Sequence, residues 1–219
     1  MHKIKENLTK YYQQIKSKYE KLNPVVREII ETVVFVLVMV IIIRFFIGEI
    51  RWIPSASMHP TLLEGDRIVV ERYSRFYRNP KRGDIMVFYP PFETLENTPW
   101  RVFSRLTGFF CKDIAYIKRV IGLPGEKVKI TPDKDGKYTV YINGKALNEP
   151  YVQSPYDYPL CSETVTCEFE IPENQDLMLG DNRGNSQDGR YWGLLKKDRF
   201  IGRAVTIFWP PRRIKKLWQ

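Results

Sequence analysis

The stretch Ile29-Ile30-Glu31-Thr32-Val33-Val34-Phe35-Val36-Leu37-Val38-Met39-Val40-Ile41-Ile42-Ile43-Arg44-Phe45-Phe46-Ile47-Gly48-Glu49-Ile50 decides how the rest of the chain is read. Val33 to Ile43 is unbroken apolar, and with its flanks the segment approaches the ~20 residues that a bilayer requires. Glu31 and Arg44 interrupt it near its ends, where long charged side chains can reach the interface. Its β-branched residues would also suit a buried strand, but the run is far longer than an ordinary strand. The expected structure is a single transmembrane helix over residues 29–50. A cleavable leader fits less well, because the apolar run starts late and Gly48-Glu49-Ile50 is not a small-residue cleavage site. Lys3, Lys5, Lys10, Lys16, Lys18, Lys21 and Arg27 precede the segment, whereas Arg51 and then Arg67 follow it. The positive-inside rule therefore puts residues 1–28 in the cytoplasm and residues 51–219 on the extracytoplasmic side of the cell membrane.

The flanks carry further patterns. Ile4, Leu8, Tyr11, Ile15, Tyr19 and Leu22 recur at helical spacing with lysines between them. That pattern fits a basic amphipathic helix on membrane lipid, with a partner helix as the alternative. The 219 residues suffice for such an anchor and one soluble domain. A net charge of +10 raises the question of nucleic acid. The charge is scattered and densest at the termini, so anionic lipid and topology explain it more simply. Cys161 and Cys167 lie close together, either as a local disulfide or as two free thiols, and Cys111 has no evident partner. No cysteine or histidine set has metal-ligand spacing, and no phosphate-binding loop motif occurs, so neither a metal nor another cofactor is expected.

Beyond residue 50 the signals are mainly those of strands. Residues 67–73 follow the turn Glu64-Gly65-Asp66, and residues 84–89 follow Arg82-Gly83 and stop at Pro90-Pro91. Residues 114–121 end at Gly122-Leu123-Pro124-Gly125, residues 127–130 and 138–142 lead to the hairpin signal Asn143-Gly144, and residues 200–209 close at Pro210-Pro211. Many short strands punctuated by Gly and Pro predict an all-β domain of folded antiparallel sheets, barrel-like in form. Residues 92–110, with Trp100, Val102, Phe103, Leu106, Phe109 and Phe110, read as an inserted loop or short helix that rests on the membrane or packs on the sheet. Residues 151–173, which hold the cysteine pair, read as an excursion from the core.

Chemistry concentrates just past the apolar segment, in Ile53-Pro54-Ser55-Ala56-Ser57-Met58-His59-Pro60-Thr61. Its prolines fix φ and remove donors, so the piece is expected to be rigid and extended. A serine nucleophile needs a base. The chain has two histidines: His2 lies before the apolar segment, and the His59 ring is poorly placed for a next-door hydroxyl, which disfavours a Ser-His-Asp triad. Lysine is the remaining base, and burial makes it one by lowering its pKa. Lys118 lies inside the apolar run Ile114-Ala115-Tyr116-Ile117-Lys118-Arg119-Val120-Ile121, on the alternate face with Ile114, Tyr116 and Val120. Residues 180–193, GDNRGNSQDGRYWG, add a segment dense in hydrogen-bonding side chains.

Together these segments resemble the type I signal peptidases, membrane-bound Ser-Lys proteases that remove signal peptides from exported proteins. Pro54 to Leu62 resembles the family's PSGSMxPTL, Tyr116 to Gly125 its lysine segment, Gly180 to Gly193 its GDNRxNSxDSRYWG, and Arg82 to Phe88 its RGDxVVF. The resemblance runs from Ile53 to Gly193 in the family's order. It implies that Ser57 is the nucleophile and Lys118 the general base, and that the Ser55 hydroxyl, with the Ser57 N–H, binds the oxyanion. It also implies that Ser186 bonds the Lys118 amine, that Asp188 and Arg190 form a supporting ion pair, and that Asp181 shapes the site. Ile53, Pro54, Met58, Leu62, Tyr116 and Ile117 would line shallow pockets for small side chains, giving a preference for Ala-x-Ala before the cut. The implied partners are signal-peptide-bearing preproteins and membrane lipid, with the enzyme working as a monomer and without nucleic acid. Ala56 stands where the family has Gly, Gly184 where Asp is common, and Gly189 where Ser is usual. Two rival readings are a relative of the self-cleaving repressor proteases, which the span argues against, and a silent β domain that binds signal peptides, which intact Ser57 and Lys118 argue against.

Overall fold

Asn23 and Pro24 start the apolar segment as a helix. The Asn23 side chain accepts the Val25 N–H at 2.9 Å and Pro24 occupies the first turn, where its missing donor costs nothing. The computed structural model describes residues 2–44, 48–107, 113–132, 136, 138–153 and 168–217. Helix α1 spans His2–Glu20 and α2 spans Pro24–Ile42. Together they make up one unit, Met1–Ile43, and the second unit is Arg44–Gln219. No helix among the described residues is long and apolar enough to cross a membrane. Helix α2 takes in Arg27, Glu28 and Glu31 near its start, and residues 45–47 lie outside the described part. The helix expected as far as Ile50 also ends earlier: Glu49 and Ile50 begin strand β1, Glu49–Trp52. None of the residues of α2 is buried.

The second unit is mainly β. Strands β2 (Arg67–Glu71), β3 (Ile85–Phe88), β4 (Tyr116–Gly122), β5 (Lys127–Pro132) and β6 (Tyr138–Ile142) lie where the apolar runs predict them. They are followed by β7 (Lys145–Ala146), β8 (Glu168–Glu170), β9 (Gln175–Leu179), β10 (Leu195–Lys196), β11 (Phe200–Trp209) and β12 (Lys215–Lys216). The larger sheet runs β1-β2-β11-β3-β4-β9-β10 with β12 on β11, and the smaller runs β7-β6-β5-β8. All these pairings are antiparallel. Ten-residue β11 pairs with β2, β3 and β12, with register shifts in its pairing to β2 and β3. Such irregularities sharpen local twist and let a sheet curl. Short helices are α3 (Ser74–Tyr77), α4 (Pro99–Thr107) and α5 (Gly189–Trp192). Helix α4 gives the expected insertion its form, with Trp100, Val102 and Phe103 exposed. Residues 108–112, with Cys111, and residues 154–167, with Cys161 and Cys167, lie outside the described residues.

Three clusters form the core among the described residues. One joins Ile68 and Val70 of β2, Ile117 of β4 and Ile201 and Ile207 of β11, and a second joins Ile121 to the smaller sheet through Val128, Ile130, Val140 and Ile142. The third holds Met86, Phe88, Val120, Met178, Leu195 and Phe200, with Trp192 packed on it. Strand β4 contributes to all three, so its central residues are held from several sides.

Strand β9 also buries a carboxylate. Asp176 has no exposed surface, and neither oxygen has a hydrogen-bond partner among the described residues. Burial pushes its pKa up to about 6, with the Lys197 charge opposing and Glu126 adding to the rise. A raised folded-state pKa stabilises at low pH and the contribution is lost as pH rises through about 6, a swing on the order of 3 kcal/mol. Asp176→Asn is therefore expected to raise the denaturation midpoint at about pH 7.5 and to change it little at about pH 4, measured in urea at both pH values.

Candidate active site

Ser55 is extended (φ −137°, ψ 154°), a single 3-10 turn follows over Ala56–Met58, and His59 returns to an extended conformation. The prolines at 54 and 60 thus bracket a turn, and only the ends of the segment are straight. The turn buries Ser57 and Met58. Asn182 holds it from outside: its backbone N–H donates to the Ser57 carbonyl and its Nδ2 to the Ala56 carbonyl, both at 3.1 Å. Ala56 is not among the non-glycine residues with positive φ, so its methyl group meets no left-handed strain.

Strand β4 brings Lys118 to this turn from the larger sheet, where it pairs with Met86 of β3. Lys118 Nζ lies 2.8 Å from Ser57 Oγ, donates to the Ile117 carbonyl at 3.0 Å, and sits 5.5 Å from the centre of the Tyr116 ring. Lys118 is 4% exposed. Burial lowers its pKa from 10.5 to about 8; Asp188 and Asp181 oppose the shift and Arg190 adds to it. A lysine so held carries a usable neutral fraction near neutral pH and has a serine hydroxyl in hydrogen-bond reach. Ser55 Oγ lies 3.4 Å from Ser57 Oγ.

The segment after β9 packs behind the lysine. Arg190 donates to Asp188 through Nε at 2.8 Å and Nη2 at 3.0 Å, and both residues are buried. Asp188 also accepts the Gly180 N–H at 2.9 Å and the Arg190 N–H at 3.2 Å, while Arg190 donates to the Arg183 carbonyl at 2.7 Å. A Cβ at Gly180 would come within 2.1 Å of Ser186 Oγ and 2.5 Å of the Ser57 carbonyl oxygen, so only glycine permits this approach. Asp181 accepts a fork from Arg119, at 2.8 and 2.6 Å, and the Thr61 hydroxyl also bonds to it. The Arg119 guanidinium in turn lies 4.0 Å from the centre of the Tyr151 ring. The sequence reading missed Arg119 and Thr61. The signal for Arg119 was present: a second cation inside the same apolar strand requires a buried anion.

Two expectations differ from the structure. Ser186 is buried, but its Oγ makes no hydrogen bond among the described residues; the Lys118 amine is engaged by Ser57 and the Ile117 carbonyl instead. Ile53, Met58 and Leu62 are core residues, 2%, 0% and 0% exposed, packed with Ile68, Ile117 and Ile207. The 3-10 turn and the Leu62 N–H bond to the Met58 carbonyl direct these side chains inward. Pro54, Tyr116 and Ile117 do line a cleft of about 500 Å³, together with Ser55, Ala56, Ser57 and Lys118. Its remaining walls, unforeseen from the sequence, are Glu64, Ile114, Ala115, Asn185 and Gln187.

Residues 26–209 match the family model described as signal peptidase, peptidase S26. The signal peptidase I of Leptolyngbya laminosa is 41% identical over 197 residues, covering 90% of this chain and 86% of its own. A probable signal peptidase I-2 of Synechocystis sp. is 39% identical over 189 residues, covering 85% and 75%, respectively. The signal peptidase I of Bacillus licheniformis is 31% identical over 194 residues, covering 86% and 91%. A solved signal peptidase I from Enterococcus faecalis is 31% identical, covers 57% of this chain and 97% of its own, and superposes with a TM-score of 0.38.

Proposed function

The chain belongs to the signal peptidase family, peptidase S26, serine peptidases that cleave signal peptides, and on that footing we propose that Ser57 and Lys118 are its catalytic dyad. The observation that carries this reading is the buried Lys118 amine, 2.8 Å from Ser57 Oγ in a cleft open to substrate. Neutral Lys118 Nζ accepts the Ser57 hydroxyl proton as Oγ bonds to the scissile carbonyl carbon. The resulting ammonium gives that proton to the leaving amine nitrogen as the C–N bond breaks, which leaves an acyl-enzyme. Lys118 then takes a proton from water as the hydroxyl attacks the ester, and returns it to Ser57 Oγ as the acid leaves. The Ser55 hydroxyl and the Ser57 N–H are the oxyanion donors, fixed where charge develops in the transition state.

Around this dyad the other side chains act by position. The Asp188–Arg190 pair anchors the Gly180 backbone, the Arg119–Asp181 pair fixes the segment beside the turn, and Gly180 packs closely against both Ser186 and the Ser57 carbonyl. The cleft next to Ser57 is walled by Ala56 and Ala115, which supports acceptance of small side chains and cutting after Ala-x-Ala. The apolar, nowhere buried surface of α2 supports a membrane-anchored enzyme, and the flanking lysines support an N-terminus in the cytoplasm with the β-rich unit outside. A tethered enzyme meets substrates held by their own signal helices in the same bilayer, which raises effective concentration without new contacts.

The test is incubation of the purified chain with a precursor carrying an Ala-x-Ala site, followed by sequencing of the new N-terminus. The wild type is expected to release the mature protein at that bond, and Ser57→Ala to lower the rate by at least about 10³-fold with the fold intact. Undiminished cleavage by Ser57→Ala would remove Ser57 from the nucleophile role.

A further inference from the structure

At the head of β1 one buried carboxylate gathers three guanidinium groups. Glu49 is 5% exposed. Its Oε1 accepts from Arg51 Nε at 2.7 Å and lies 2.6 Å from Arg51 Nη2. Its Oε2 accepts from Arg72 Nη1 at 3.3 Å and has Arg44 Nη2 at 3.9 Å. Arg72 is 1% exposed; its Nη2 donates to the Arg105 carbonyl, and its Nε is buried with no hydrogen-bond partner among the described residues. The neighbouring carboxylate, Glu71, is committed to Arg203 and to the Ser74 N–H.

Among the described residues Arg51 and Arg72 share the one Glu49 carboxylate, which leaves positive charge beside a desolvated guanidinium, an arrangement that costs free energy unless a further anion completes it. The side chains of Arg44 and Arg51 are 34% and 32% exposed, so the cluster opens to the surface through them. A phosphate group offers several acceptor oxygens on a small, formally charged centre, which suits guanidinium forks. We propose that Arg44, Arg51 and Arg72, gathered around Glu49, form a phosphate-binding site whose occupant is the headgroup phosphate of an anionic membrane lipid or a free phosphate ion. Placement favours the lipid. Arg44 follows the apolar helix α2 almost directly in the chain, and Ile50 and Trp52, 66% and 62% exposed, alternate with Glu49 and Arg51 along β1. Exposed Trp beside Arg is the composition of a membrane interface. The lipid source rests on the reading of α2 as a membrane segment; the phosphate chemistry does not.

The site is tested on the full chain in neutral detergent micelles by titrating dihexanoyl phosphatidylglycerol, dihexanoyl phosphatidylcholine or inorganic phosphate and following the thermal midpoint. Arg44→Gln/Arg51→Gln is the comparison; it leaves buried Arg72 in place. Phosphatidylglycerol is expected to give a saturable rise whose half-saturation is at least about 5-fold weaker in the double variant, with phosphatidylcholine weaker than phosphatidylglycerol. The same variant-sensitive rise with inorganic phosphate alone assigns the site to free phosphate. No saturable rise with either, or identical curves for wild type and variant, overturns the proposal. Cleavage of a precursor in the same micelles reports separately on the dyad, so loss of one result leaves the other standing.

Discussion

Lys118→Met is expected to stop precursor cleavage and, at about pH 7, to raise the thermal midpoint of the β-rich unit. The two effects share one cause. Burial lowers the Lys118 pKa from 10.5 to about 8 because the charged amine is desolvated among Tyr116, Ile117 and the Ser57 turn. The folded state thus binds the proton more weakly than the unfolded chain, and stability gains as pH rises between about 8 and 10.5. Below that window the fold carries the full cost of the buried charge, roughly 3 kcal/mol. Methionine has similar length and no charge, so the variant is expected to melt several degrees higher at neutral pH, with the gap closing towards pH 10.5. Activity loses the general base, worth about 10²–10⁴-fold, and with it the protonation of the leaving amine. Melting curves at two pH values and a precursor-cleavage assay check both halves. A variant that is active, or that melts lower than wild type at neutral pH, would contradict the assignment.

The second large effect is one of stability. Asp188 and Arg190 are both inaccessible to solvent at the side chain, and Asp188 also satisfies the Gly180 N–H and the first turn of α5. Asp188→Ala leaves a guanidinium charged in the interior without its main acceptor, an expected loss of about 3–5 kcal/mol in denaturant unfolding. Asp188→Leu/Arg190→Met removes both charges together and is expected to lose clearly less than the single variant, because no uncompensated ion remains. If single and double variants lose equally, the pair matters through packing and not through charge. The same substitution separates positioning from chemistry. Asp188 holds the Lys118 pKa up, so its removal is expected to move the rising limb of the pH–rate profile to lower pH in whatever fraction stays folded.

Much of this architecture could be read before any coordinates. Strands β2 to β6 and β11 stand where Gly and Pro punctuate apolar runs, because half-buried strands impose that period themselves. Lys118 was legible for the same reason: a charged residue inside an apolar run must be satisfied by something. Strand β9 was not, since Gln175 and Asp176 break the apolar pattern of a strand that buries its carboxylate with no hydrogen-bond partner among the described residues. The pairing of Arg119 with Asp181 joins segments far apart in sequence, and nothing in either segment specifies the other. The roles of Ile53, Met58 and Leu62 were misplaced because one 3-10 turn, invisible in composition, rotates them from the cleft into the core. The glycine-to-alanine departure at position 56 proved harmless on backbone grounds, since the turn there needs no positive φ.

The most direct test of the Ser57–Lys118 account is the pH dependence of kcat/KM for cleavage of a soluble signal-bearing precursor by the wild-type chain. The base must be neutral to accept the Ser57 proton, so the rate is expected to rise about tenfold per pH unit below the Lys118 pKa and to level off above about 8. A profile that is flat from about pH 6 to 9, or one that falls as the lysine deprotonates, would contradict a neutral lysine base.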